Sequence, residues 1–143
     1  MTDRVASFPF ASSMRLKNSW EFDAVFRAGR HLKGELVRIY YLYRDGGARV
    51  GVAAGKRIGC AARRVRGRRM VREALRRLLP WIRGGVWIVA SLRERALESD
   101  AVSIYYEMAG LLERAELLSG DWNGADWRVD DPRTYQGTLQ SRS

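Results

Sequence analysis

From Lys56 to Arg83 the sequence places eleven basic side chains against a single acid, Glu73. Wound at about 100° per residue, this segment separates into two faces. Gly67, Val71, Ala74, Leu75 and Leu78 gather on one side, which must meet a core. Val65, Arg69, Arg72 and Arg76 form a stripe pointing away, flanked by Arg68, with Arg66, Glu73 and Arg77 on the far shoulder. A solvated surface is the plain alternative for any run of charge. A face kept merely soluble would mix signs to limit self-repulsion, and this one hardly does. Guanidinium groups in such number match the phosphates of a nucleic acid, which their planar forks grip in pairs of hydrogen bonds.

Other chemistry is poorly represented. A protein nuclease needs a carboxylate cluster that holds metal, or a histidine-based acid and base. The acids here are scattered, and the only histidine, His31, is read as a solvated bystander in a loop beside Arg30 and Lys33. Cys60 precedes a helix start, where a thiolate is favoured. No second catalytic partner accompanies it, so it reads as a small packing residue. There is no phosphate-binding loop and no dinucleotide motif.

The whole chain supports the reading of a basic binding module. Its 143 residues carry a formal charge of +10, and 46% of them are hydrophobic, which suits one folded domain with one modest core. From Ser119 onward four acids face three arginines, a net of −1, so the preceding residues hold +11. A polyanionic partner follows from that excess. The longest apolar run, Val86–Ala90, falls far short of the ~20 residues of a membrane span, and Met1–Val5 lacks a secretory stretch. A lone cysteine forms no internal disulfide, and a reducing cytoplasm is the expected compartment.

The elements that must position the basic helix can be placed in outline. Asn18 and Glu21 announce a first helix carrying Phe22, Val25 and Phe26, stopped by Gly29. A strand over about Glu35–Tyr43, the turn Asp45-Gly46-Gly47 and a strand over Arg49–Ala54 predict a hairpin. In that strand Leu36, Arg38, Tyr40 and Leu42 share one face, while Val37, Ile39, Tyr41 and Tyr43 share the other. The basic helix runs from about Ala61 to Leu79 and ends at Pro80. A buried strand, Val86–Ser91, follows Gly84-Gly85. A third helix is expected after an N-cap at Ser99, with Val102, Tyr105, Ala109 and Leu112 as its apolar stripe. The chain then divides into a flexible leader (1–14), a nucleic-acid-binding domain (15–118) and a disordered tail (119–143). The fold class is α+β, a compact sandwich of one sheet with three helices.

The segment Lys56-Arg57-Ile58-Gly59, then Ala61, then Arg64-Val65-Arg66-Gly67-Arg68-Arg69-Met70-Val71-Arg72-Glu73 resembles the bacterial ribonuclease P protein subunit. That family has a Lys-Lys-Ile-Gly turn followed by a helix of pattern R-N-R-x-K-R-x-x-R-E. Arg15-Leu16-Lys17, Phe22, Val25-Phe26, Gly29, Tyr40 and Arg49-Val50-Gly51 match in order upstream, so the resemblance covers roughly Arg15 to Leu118. It implies the order α-β-β-(β)-α-β-α of that family, a fold like domain 2 of ribosomal protein S5. It also implies a role in which a catalytic RNA, with bound Mg²⁺, cleaves precursor tRNA to form the mature 5′ end. The protein alone would hold no cofactor and need no obligate protein partner, and it would sit on no membrane. By position, Lys56, Arg57, Arg64, Arg66, Arg68, Arg69 and Arg72, with Arg76 on the same stripe, are the implied RNA contacts. Phe22, Phe26 and Tyr40, with Arg38 on the Tyr40 face, are the implied cleft for the 5′ leader. Core packing is the competing reading for Phe22 and Phe26. Three positions depart from the pattern. Val65 stands in place of Asn, Gly55 in place of Ser, and Gly67 in place of a β-branched core residue, where a shallow gap is expected. A structural RNA-binding protein, or an inactive relative of the subunit, is the alternative function.

Overall fold

The structure, a computed structural model, describes residues 12–128, apart from the side chains of Ser12 and Lys56. The expected leader therefore lies outside the described residues up to 11, and Ser12–Met14 forms a short 3-10 turn. Helix α1 (Ser19–Ala28) starts after Asn18 and stops at Gly29, whose N–H donates to the Val25 carbonyl at 2.9 Å. Strand β1 (Arg30–Lys33) follows, then β2 (Val37–Tyr43), β3 (Arg49–Ala53), helix α2 (Ala61–Leu78), β4 (Val86–Leu92) and helix α3 (Ala101–Arg114). The α+β class is as expected.

The sheet order is β1-β2-β4-β3. β2 lies antiparallel to both β1 and β4, while β3 runs parallel to β4. The hairpin expected between β2 and β3 does not form, because β4 is inserted between them. Its Val86–Leu92 run is apolar on both faces and is buried almost throughout, so it takes the centre of the sheet. The Asp45-Gly46-Gly47 turn is tied to the start of this inserted strand instead. The Gly46 carbonyl accepts from the Gly85 N–H at 2.7 Å, and Arg44 N–H donates to the Gly85 carbonyl at 2.9 Å.

Strand alternation divides the packing. Val37, Ile39 and Tyr41 face α2 and α3 in the main core, together with Val50, Ile88 and Ala90. Tyr40 and Leu42 face the other way, with Trp87 and Val89, toward Val25 and Phe22 of α1. Leu36 precedes the strand and packs with the main core instead.

Several expectations are corrected by tertiary contacts. Asp100, not Ser99, caps α3, accepting from the Ser103 N–H at 2.8 Å, and Val102 is exposed while Ile104, Met108 and Leu111 join the buried face. There is no gap at Gly67. A Cβ there would overlap Leu92 Cδ2 and sit 3.2 Å from Leu97 Cδ2, so Leu92 fills the space. Residues 119–128 of the expected disordered tail lie against the core. The Asp126 and Trp127 N–H groups donate to the hydroxyls of Tyr105 and Tyr106 at 3.0 and 3.1 Å. The Trp127 ring meets Tyr105 edge-on at 5.6 Å and covers the Arg77 guanidinium at 3.5 Å. Arg77, on the far shoulder of the basic helix, is thereby buried, with Glu73 as an ion-pair partner. The rest of the tail, 129–143, lies outside the described residues.

Candidate nucleic-acid interface

The basic helix presents the faces its sequence implies. Gly67, Val71, Ala74, Leu75 and Leu78 are buried, while Val65 is 39% exposed. Arg57, Arg66 and Arg69 are exposed, and Arg64, Arg68, Arg72 and Arg76 are half-buried. Some of these side chains are already engaged. Arg64 Nη1 donates to the Gly59 carbonyl, Arg66 Nη1 to the Leu97 carbonyl at 3.0 Å, and Arg76 Nη2 pairs with Glu73 Oε1 at 3.0 Å. Among the described residues no acid pairs with Arg68, Arg69 or Arg72.

Arg72 sits in the field of four other guanidinium groups. Burial, and then the charges of Arg15, Arg68, Arg76 and Arg69, pull its guanidinium below the ordinary value. Like charges kept this close favour a multivalent anion that would relieve them. Arg15 enters this field from a different element. Its segment adds to the free edge of β3 by a parallel bridge to Val50, with Leu16 N–H donating to the Val50 carbonyl at 2.8 Å. Arg49 Nη2 donates to the Arg15 carbonyl at 2.7 Å, and Arg49 Nη1 pairs at 2.7 Å with the buried carboxylate of Glu21. Glu21 Oε1 in turn accepts the N–H groups of Lys17 and Asn18 at 2.6 and 2.9 Å. Burial alone would raise this carboxyl, but those N–H donors and Arg49 outweigh it and hold the pKa below its ordinary 4.5. The α1 capping residue thus also anchors the strand edge that carries Arg15. Pattern reading matched Arg15 but assigned it no contact, because nothing local places it near α2.

The second set of predicted residues meets on the α1 face of the sheet. Phe26, 39% exposed, meets Tyr40 edge to face with ring centroids 4.8 Å apart. Phe22 lies over Gly51, where a Cβ would come within 2.6 Å of its Cζ, so glycine is what admits the ring. Phe22 is half-buried and packs with Val25, Trp87 and Val89, so core packing accounts for much of it. His31, placed in a loop by sequence, belongs to β1 opposite Tyr40, with ring centroids 5.7 Å apart. One rung further along the same face stands Arg38, paired across to Ser91. It lines a groove of about 510 Å³ with Arg57, Ser91, Arg93 and Glu94, and its Nε is buried with no hydrogen-bond partner among the described residues. Aromatic rings and a basic groove are therefore continuous, a combination suited to a single strand. Arg93 was not singled out from sequence, since it lies beyond the basic helix.

Cys60, expected to pack, is exposed just before α2, and the Arg63 and Ala62 N–H groups pull its thiol below the usual value. Among the described residues no three His, Cys, Asp or Glu side chains gather as metal ligands, and no helix is long and apolar enough to cross a membrane.

A family model described as Ribonuclease P matches residues 10–116. The ribonuclease P protein component of Symbiobacterium thermophilum is 37% identical over 106 residues, spanning 73% of this chain and 92% of that protein. Its counterpart from a Thermoanaerobacter species is 30% identical over 109 residues, spanning 76% and 94%. Among solved structures, the RNase P protein from Thermotoga maritima superposes with a TM-score of 0.63 at 28% identity, covering 70% of this chain and 96% of that one. The Staphylococcus aureus RNase P protein, at 19% identity and a TM-score of 0.61, covers 74% and 98% and shares the fold.

Proposed function

The chain belongs to the ribonuclease P protein family, and from that premise we propose that its two basic surfaces divide the work between two RNAs. It is the protein component of an RNA-based endoribonuclease that processes tRNA. In this proposal α2, with Arg68, Arg69, Arg72 and Arg76 and with Arg15 beside them, holds the catalytic RNA. Arg57, Arg64, Arg66 and Lys56 extend that contact from the turn and the start of the helix. The cleft of Phe22, Phe26 and Tyr40, continued by Arg38, guides the 5′ leader of precursor tRNA. The observation that carries the leader assignment is the half-open Phe26–Tyr40 pair beside the unsatisfied Arg38 Nε. Bases stack on such rings without sequence preference, while guanidinium groups follow the backbone.

In this proposal cleavage itself belongs to the RNA subunit and its Mg²⁺. The protein's part is to bind, orient and neutralise phosphate charge, in the cytoplasm where tRNA is made. Reconstitution tests this. Purified protein added to a bacterial ribonuclease P RNA at low Mg²⁺ should restore leader removal from precursor tRNA, and the protein alone should leave the substrate intact. Phe26→Ala and Tyr40→Ala should weaken precursor tRNA binding more than mature tRNA binding, and an equal loss for both would refute a leader cleft.

A further inference from the structure

The largest exposed aromatic surface on the α1 side plays no part in that scheme. Trp20, in the first turn of α1, is 56% exposed. It lies six residues before Phe26, which winding places about 120° away around the helix. Trp20 therefore occupies the opposite flank of α1 from the Phe26–Tyr40 cleft. Its ring rests on Trp87 of β4, centroids 5.9 Å apart and tilted by 55°. Trp87 is only 6% exposed, because two guanidinium groups close over it as well, Arg44 at 4.3 Å and Arg49 at 5.3 Å.

The two arginines are not equivalent. Arg49 is already committed to Glu21 and to the Arg15 carbonyl. Arg44 is exposed, is pinned at the end of β2 by its backbone bond to Gly85, and makes no ion pair among the described residues. Its guanidinium carbon rests 4.3 Å from the centroid of the Trp87 indole, a cation–π contact that removes some of the rotamer freedom a surface arginine would lose on binding. An open indole and a pre-oriented cation thus share one buried support.

We propose that Trp20 and Arg44 form a second nucleotide site, in which an unpaired base of RNA stacks on the open face of Trp20 and Arg44 takes an adjoining phosphate. The net charge of +11 on residues 1–118 favours a polyanion over a protein partner. Asp23, three residues on from Trp20 in α1, and Asp45, next to Arg44 in the chain, are exposed acids that disfavour a long run of phosphates here. This inference rests on the reading that the chain binds RNA. The nucleotide has two possible sources, the catalytic RNA or the leader of precursor tRNA.

Dissociation constants would be measured for Trp20→Ala, Trp20→Phe, Arg44→Gln and Arg72→Ala, against the catalytic RNA alone. The same variants, assembled with excess catalytic RNA, would then be titrated with precursor tRNAs of short and long leader. Trp20→Ala should weaken one of these associations by about five-fold or more, as loss of one stacked base does. Trp20→Phe should keep most of the affinity, and Arg44→Gln should weaken the same association. Loss confined to the catalytic RNA assigns the nucleotide to it, and loss confined to long leaders assigns it to the substrate. If Trp20→Ala also lowers the melting temperature, Arg44→Gln decides. Unchanged affinities for the Trp20 and Arg44 variants, with Arg72→Ala impaired, overturn this site and leave the RNA-binding reading intact. Unchanged affinities for all four variants overturn that reading itself.

Discussion

The guanidinium of Arg77 lies 3.5 Å from the centroid of the Trp127 ring, and its Nε donates to the Trp127 carbonyl at 3.4 Å. A buried cation is thereby roofed by a residue that lies beyond the family match, which ends at 116. Trp127→Ala should reduce the unfolding free energy by about 1–2 kcal/mol, the scale of a desolvated cation–π contact with some lost burial. Urea denaturation would measure it. A midpoint identical to wild type would mean that the segment lies on the surface without stabilising it.

Gly67 and Leu92 are size-coupled. Restoring a β-branched residue by Gly67→Val should destabilise by about 1–3 kcal/mol, because the added methyls collide with Leu92 in a filled core. Leu92→Ala alone should also destabilise, by about 2–5 kcal/mol. The double variant should lose clearly less than the two losses added together. Strict additivity in that cycle would contradict the packing described.

Much of this architecture was legible because it is local. The buried side of α2 follows from the spacing of Gly67, Val71, Ala74, Leu75 and Leu78, and the start of α1 follows from Asn18 with Glu21. The misread features are those decided at a distance. Asp45-Gly46-Gly47 is a turn by any local criterion, yet the strands it joins are parted by β4. Arg15 becomes part of the interface only because its segment bridges to Val50. The residues around Trp127 are polar and aperiodic, and one aromatic ring over Arg77 outweighs that composition. Gly67 looked like a gap because its filler, Leu92, comes from another element.

Acid should act through Glu21. Its folded pKa is depressed, so its stabilising contribution is complete above its ordinary 4.5 and is lost as pH falls through the lower folded value. The gap in melting temperature between wild type and Glu21→Gln should be widest near neutral pH and should close as pH drops below 4.5. A gap independent of pH would show that the carboxylate charge is not what ties Arg49 and the β3 edge to α1.

Arg15→Ala should weaken binding to the catalytic RNA and flatten its dependence on salt by about one unit of log–log slope, as removal of one phosphate contact does. Thermal stability should change by no more than about 0.5 kcal/mol, as for an exposed side chain. An unaltered salt slope would place Arg15 outside the interface.

Val65 is exposed among the arginines of α2, where it contributes no hydrogen bond. Val65→Asn should change stability by no more than about 0.5 kcal/mol, as surface substitutions do. Cleavage by the reconstituted enzyme should improve or stay level. A fall in rate would mean that the RNA partner is matched to valine.

The position of β4 between β2 and β3 also dictates an order of events during synthesis. β1 and β2 can pair as soon as they leave the ribosome, but β2 keeps one open edge and β3 has only the bridge from Arg15 until Val86–Leu92 emerges. Translation runs at roughly 5–20 residues per second, so the complete arginine helix is outside for roughly 0.7–3 s before the whole of the strand that joins the sheet. Through that interval the nascent chain is a cationic, half-built sheet among ribosomal RNA. The sheet is joined when that strand arrives, and α3 then follows to close the core behind it.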